Sequence, residues 1–495
     1  MEKQKLGNSV LIDQEIDMRY LDRIDSYRDQ MVRALQGLIS IPSIVAPQGE
    51  DMPFGEDVHR AFLYMLALAE KEGFDTVNVD NYGGHIEFPG YILNEKGELA
   101  ERSKETMGIL THLDVVPEGS GWDYPPYEGR VVDGRLYGRG AIDNKGPTIA
   151  AFYAMKALKD EGFIPSKNIR LILGLDEEAG TGWQGMKAYF SRVKAPDFAF
   201  TPDAEFPAIH AEMGILIFEL VKKINRTVNK GVELRSLVGG NAANMVADYA
   251  RAVIRADSYD DIRDALSQYK EETGYDINAR GIGKNLEIVA RGVSSHGARP
   301  WLGLNAISIM MEFLARLEFA NEDVHDFIEF YNNHIGFDLY GKNIGCGLSD
   351  EVSGNLIFNV GKIDLDTEAA RLTVNIRYPV TIKQDEVYEG MMPYLDKYNF
   401  GIVKLNHQEA IYVPEDDPLI VTLMDVYRKH TGDRESKPLV IGGGTYARSM
   451  KNAVAFGMAF PGEPELAHQK NESISIDNMI KATKIFADCI YELTK

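Results

Sequence analysis

The segment GILTHLDVVPEGSGW, Gly108 to Trp122, sets His112 and Asp114 directly behind a short apolar run and closes with a proline and two glycines. An imidazole with a carboxylate two residues on can act as a metal ligand with its own orienting partner, and the end of a strand is where an α/β sheet presents such groups. Read alone, the same residues also fit a surface loop whose His and Asp face water. Further acidic and imidazole positions share the placement. Asp143 lies in GRGAIDNKGP, just before a helical stretch; Glu177 and Glu178 lie in LILGLDEEAGTG and Asp203 in FAFTPDAEFP, each after an apolar run; His468 lies in FPGEPELAHQKNE, after the last one. Singly, Asp143 fits a helix N-terminus, Asp203 a turn beside Pro202, and His468 a loop. Together, at the carboxyl ends of successive strands, they can converge on one pocket. Adjacent side chains in an extended segment point opposite ways, so one glutamate of the doublet can hold a cation while the other faces water.

The elements that position these groups read as interleaved strands and helices. Helical spacing runs from about Ile24 to Leu38 and from Asp57 to Glu72, and alternation follows in FDTVNVDNYGGHIEF. An apolar run at Met107 to Leu110, a helix from about Gly146 to Asp160, and strands at Ile169 to Gly174 and Phe198 to Phe200 continue the rhythm of a mostly parallel, helix-covered sheet. From about Pro207 to Asn406 the rhythm changes. Strands at Leu286 to Ala290, Leu356 to Val360 and Leu372 to Tyr378, with helical spacing at Ala306 to Leu317, predict an α+β insertion. The helix Pro418 to His430, the loop IGGGTYARSM and the run AVAFGMAFPG then resume the first pattern. The expected fold is α/β, a phosphorylase/hydrolase-like catalytic domain with a mostly parallel, helix-covered sheet, residues 1–206 and 407–495, interrupted by an α+β lid, residues 207–406.

Composition narrows the chemistry. At 495 residues, 44% hydrophobic and 26% charged, the chain fits a globular protein of two or more domains. A net charge of −22, from 53 basic and 75 acidic residues, repels nucleic acid and anionic membranes, so neither is expected as a partner. The opening residues are charged throughout, with no apolar core of signal-peptide length, which predicts a cytoplasmic protein. Cys346 and Cys489 are the only cysteines and lie outside any CxxC spacing. A metal must then be held by His, Asp and Glu.

The motifs THLDVVP, GRGAIDNKGP, DEEAGTG, TPDAEFP, SSHGARP and AHQKNE, in this order from about residue 35 to 480, resemble those of the co-catalytic metallopeptidases. That family includes aminoacylase, carboxypeptidase G, succinyl-diaminopimelate desuccinylase and the PepV and carnosinase dipeptidases. The resemblance implies that Asp143 bridges two divalent metals, with His112 and Asp203 completing one site and Glu178 and His468 the other. It further implies that Asp114 orients His112, that Glu177 is the general base, and that the Asp143–Asn144 peptide is cis. Imidazoles and carboxylates without thiolate admit zinc, the default here, or manganese or cobalt.

The long insertion is similar to the extended lid of PepV. That similarity implies a monomer in which His296 of SSHGARP reaches the tetrahedral oxyanion of its own chain. Asn244 in NAANMVAD, Arg377 in VNIRYPV and the glycines Gly442, Gly443 and Gly444 fall where PepV-like enzymes hold a substrate carboxylate. A structural ion pair is the alternative for Arg377, although a guanidinium suits bidentate carboxylate recognition. The expected activity is hydrolysis of unblocked dipeptides, with β-Ala dipeptides among the candidates. Removal of N-acyl groups from amino acids is the alternative within the family, and a non-catalytic binder the alternative outside it.

Overall fold

The structure, a computed structural model, describes residues 19–95, 97–179, 182–225 and 231–495. It divides into two compact units. The first comprises Met1–His210, Val413–Leu439 and Gly444–Lys495, and the second Ala211–Tyr412 with Val440–Gly443.

In the first unit the strand Thr106–His112, buried along its whole length, lies parallel between Asn168–Gly174 and Phe198–Thr201, and the latter lies parallel to Ala453–Phe456. Antiparallel pairs extend this parallel centre. Asp75–Asn78 and Gly84–Phe88 add to the Asn168–Gly174 side, and Ala208–Glu212 pairs with Ala453–Phe456. A strand buried on both faces reads as a continuous apolar run rather than an alternation, which is why TMGIL was legible as a strand. The helix Lys145–Asp160, buried from Lys145 through Leu158, packs on the Thr106–His112 strand and against Ile476–Thr494 and Arg28–Ile39. The single helix expected over Ile24 to Leu38 is two, Arg19–Ser26 and Arg28–Ile39. Between them Tyr27 turns inward, and its hydroxyl bonds Asp160.

The second unit is an eight-stranded, wholly antiparallel sheet. Its order is Asp276–Ile282, Asn285–Arg291, Tyr249–Arg255, Glu233–Gly239, Ile357–Leu365, Ala369–Tyr378, Gly214–Lys223 and Phe400–Gln408. Leu372, Val374 and Ile376 on one face join Ile307, Met310, Phe327 and Phe330 of the helices Ala306–Leu314 and Glu322–His334 in one core. Polar Asn359, Asn375 and Arg377 take the alternate positions of their strands, as the twofold period requires.

One close approach ties the sheet to the site. Gly174, paired with His112 across the two parallel strands, lies so near the buried Tyr446 ring that a Cβ there would overlap it. Gly174→Ala is expected to lower stability in urea denaturation by about 1–3 kcal/mol, the usual cost of overpacking a core. An unchanged midpoint would show that the ring can yield.

Candidate metal centre

Parallel strands end on the same edge, and that edge collects the acidic and imidazole groups. His112 is the last residue of its strand, Glu177 lies three residues past Gly174, and Asp203 two past Thr201. His112 Nε2 lies 3.1 Å from Asp143 Oδ1 and 3.6 Å from Asp203 Oδ2. His468 Nε2 lies 3.1 Å from Asp143 Oδ2 and 2.7 Å from Glu178 Oε1. Ligand atoms of His112, Asp143 and Asp203 fall within 4.8 Å of one another, and so do those of Asp143, Glu178 and His468. Asp143 is common to both groups and turns a different oxygen to each. A third group at the same spacing joins Glu177 to His112 and Glu178.

The backbone around Asp143 explains how its carboxylate is aimed. The Asp143–Asn144 peptide is cis, as the sequence resemblance implied. Asn144, fully buried, donates from Nδ2 to Asp203 Oδ1 at 3.0 Å and to the Pro202 carbonyl at 3.1 Å. Lys145, also fully buried, donates from Nζ to the carbonyls of Leu38 and Ile41. Asp114 has a broader part than orienting His112. The Nδ1 of His112 lies 3.0 Å from the Asp114 carbonyl and 3.5 Å from its carboxylate, whose two oxygens accept the backbone N–H groups of Glu177 and Glu178 at 3.0 and 2.9 Å. One buried carboxylate therefore fixes the backbone of both glutamates. Asn144 and Lys145 were visible in the GRGAIDNKGP motif, but an amide and a lysine carry no ligand signal of their own, and only their buried partners reveal what they hold.

Burial raises the Asp143 carboxyl, but hydrogen bonds from His112 and His468 outweigh it and hold the group well below the ordinary carboxylate range. Burial likewise lowers His112, yet Asp203, Asp114 and Asp143 together raise it well above the usual imidazole value. His468, bonded to Asp143 and Glu178, is pushed up to about 11. Glu178 is pushed up to about 7 by burial and by Asp143, and Glu177 well above its usual range by burial, with Asp203, Glu178 and Asp114 adding to the effect. Carboxylates crowded in a nearly dry cleft thus draw protons onto the imidazoles, the electrostatic relief that cations would otherwise give.

The remaining sequence candidates lie elsewhere in the chain. In the second unit the Asn244 carbonyl accepts from Gly297 N at 2.7 Å, and Met245 forms a bridge with His296, whose Nδ1 accepts from Ala298 N. Gly442 lies where a Cβ would sit 3.0 Å from Ala298 Cβ and 3.7 Å from Arg377 Cγ. Asn244, His296, Gly442 and Arg377 are therefore neighbours there. Gly443 belongs to the same unit, whereas Gly444 belongs to the first.

Residues 108–492 match the model of Peptidase family M20/M25/M40. The chain belongs to that family. Over 475 residues, 94% of this chain and 98% of the other, it is 37% identical to a protein of Bacillus subtilis (strain 168) named "Putative dipeptidase YtjP". It is 35% identical to a "Putative dipeptidase" of Staphylococcus epidermidis (strain ATCC 12228 / FDA PCI 1200), over 95% of this chain and 98% of the other. Human carnosine dipeptidase 1 superposes with a TM-score of 0.55 at 16% identity, covering 97% of this chain and 98% of that one. Aminoacylhistidine dipeptidase from Vibrio alginolyticus gives the same TM-score and identity over 94% and 96%. These two share the fold. Among the described residues no helix is long and apolar enough to cross a membrane.

With His468 pushed up to about 11 and His112 held well above its usual value, each imidazole carries a proton at pH 7 in the metal-free centre, and each must lose it to ligate. Titrating metal-free protein with zinc at pH 7, in two buffers of different ionisation enthalpy, should show release of at least about two protons per chain, one from each imidazole and a further share from Glu178. Calorimetry showing no net release would mean that the imidazoles are already neutral.

Proposed function

We propose that this chain is a metal-dependent dipeptidase. The observation that carries the reading is Asp143, whose two oxygens face two separate groups of ligand type. Family membership and the names of the 34–37% identical relatives support the substrate class. The donor set fits divalent cations, zinc first and manganese or cobalt next, since it is all imidazole and carboxylate, and the free cysteines Cys346 and Cys489 are buried elsewhere. His112, Asp143 and Asp203 would hold one ion, and Asp143, Glu178 and His468 the other. When bound, the pair supplies Lewis acidity to the scissile carbonyl and lowers the pKa of the attacking water.

The chain's own groups do the rest. Glu177, its backbone fixed by Asp114, takes the proton of the attacking water on its carboxylate and delivers it to the leaving amide nitrogen. His296 donates to the oxyanion that develops on the carbonyl, while Arg377, Asn244 and the backbone N–H groups of Gly442, Gly443 and Gly444 hold the substrate's terminal carboxylate. The first unit serves as the catalytic domain and the second as its lid. The chain works as a cytoplasmic monomer.

A panel of Ala-Ala, β-Ala-His, N-acetyl and N-succinyl amino acids, each run with zinc, manganese and cobalt, tests the substrate class. Dipeptides should dominate, and preferential release of N-acyl groups would replace this reading with a deacylase. Elemental analysis should reach two metals per chain. Glu177→Gln should keep both metals while turnover falls about 10²–10⁴-fold. His296→Ala should also keep both, with kcat down about 10²–10³-fold and KM little changed. Near-normal kcat in His296→Ala would remove the histidine from the mechanism.

A further inference from the structure

Two residues of the quoted motifs take no part in the reaction above: Arg139 of GRGAIDNKGP and Glu472 of AHQKNE. Both are nearly inaccessible, Arg139 at 1% and Glu472 at 0% exposure. Arg139 Nη1 donates to Glu472 Oε2 at 2.6 Å. The other oxygen, Glu472 Oε1, accepts the backbone N–H of Ile142 at 2.9 Å and of Asp143 itself at 3.2 Å. Arg139 also donates to the carbonyls of Gln469, Pro117 and Glu118. Three loops thus meet on one ion pair: the one after His112, the one bearing Asp143 and the one bearing His468.

The two halves of the centre depend on this pair to different degrees. On the His112 side, Asn144 ties the Asp143 loop directly to Asp203 and to the His112 backbone. On the other side His468 is 51% exposed and sits at φ 63° on a loop that leaves the sheet edge. That loop is held by Arg139 at Gln469, by two bonds between Asn471 and Asp123, and by Glu472. At its base Ser473–Ser475 pairs antiparallel with Arg135–Tyr137, the strand that leads into the Asp143 loop. The ladder keeps the two bases in register, and Glu472 fixes the distance between the ligands at the tips.

We infer that Glu472 and Arg139 are a positioning pair that sets the spacing of His468 against Asp143, and so governs the metal position formed by Asp143, Glu178 and His468 more than the one formed with His112 and Asp203. The inference rests on the two-metal reading above. Residues that orient ligands without touching the ion typically change metal affinity by about 10- to 100-fold when altered.

The test titrates metal-free protein with zinc by calorimetry, with elemental analysis, for wild type, Glu472→Gln and Asn471→Gly. The glycine keeps the φ of 60° while deleting the amide. His468→Ala and Asp203→Ala assign the two binding steps. Glu472→Gln is expected to weaken the His468-dependent step about 10- to 100-fold and the Asp203-dependent step less than about threefold, with turnover recovering at saturating zinc. Asn471→Gly should shift the same step in the same direction by a smaller factor, and if Glu472→Gln does not fold, Arg139→Lys, which keeps a cation beside Glu472 but gives up the fork to Gln469, Pro117 and Glu118, decides the matter by the same criterion. Equal loss of both steps with a lower apo melting temperature would reduce the pair to a structural role, and unchanged affinities would overturn the inference. A wild type that binds fewer than two metals would instead overturn the two-metal reading, whatever the variants do.

Discussion

The carboxylate of Asp143 has both oxygens engaged, each 3.1 Å from the Nε2 of a different histidine, in a cleft that also gathers Glu177, Glu178 and Asp203. So many acidic groups at such spacing repel one another strongly where water is scarce, and the arrangement persists only with compensating positive charge. Without cations, protons supply it: His112 and His468 are driven far toward the charged form and the neighbouring carboxyls toward the neutral form. Much of the surrounding structure can be understood as the means of holding this unfavourable assembly in place.

Those means are mostly backbone hydrogen bonds to buried side chains. Asp114 accepts the N–H groups of Glu177 and Glu178, and Glu472 accepts those of Ile142 and Asp143. Lys145 and Asn144 are spent on carbonyls and on Asp203. Each is a charged or amide group whose burial would be costly if unpaired and which, once paired, admits few alternative geometries. A loop tethered this way can carry a ligand with the positional accuracy of a strand. That accuracy matters because proton transfer and metal binding both degrade with displacements of well under the length of a bond to hydrogen.

The second unit is built on a different plan. Its antiparallel sheet carries apolar residues on the helix-covered face and Asn359, Asn375 and Arg377 at the alternate positions. Because the side-chain period is two, placing Leu372, Val374 and Ile376 in the core fixes Arg377 on the other face. The specificity residue proposed there follows from the register that the core imposes.

Local sequence determined a good deal. The apolar runs before His112, Glu177 and Asp203 marked strands whose ends had to carry those residues, since a doubly buried parallel strand leaves few other readings, and the ordered motifs identified the family. The helix Lys145–Asp160 and the strands Asn168–Gly174 and Phe198–Thr201 lie within a residue or so of their sequence limits. Less was legible in the insertion. Helices such as Asp260–Thr273 and Gln384–Lys397 have half-exposed patterns that a single sequence does not separate from loops. What tertiary structure alone decided was partnership across distance. Glu472 meets Arg139 across 333 positions and His468 meets Glu178 across 290, and nothing in either local segment encodes the other. Spacing along the chain can announce that a residue has ligand chemistry, but which oxygen it turns to which neighbour depends on how strands and loops pack, and that is a property of the whole fold.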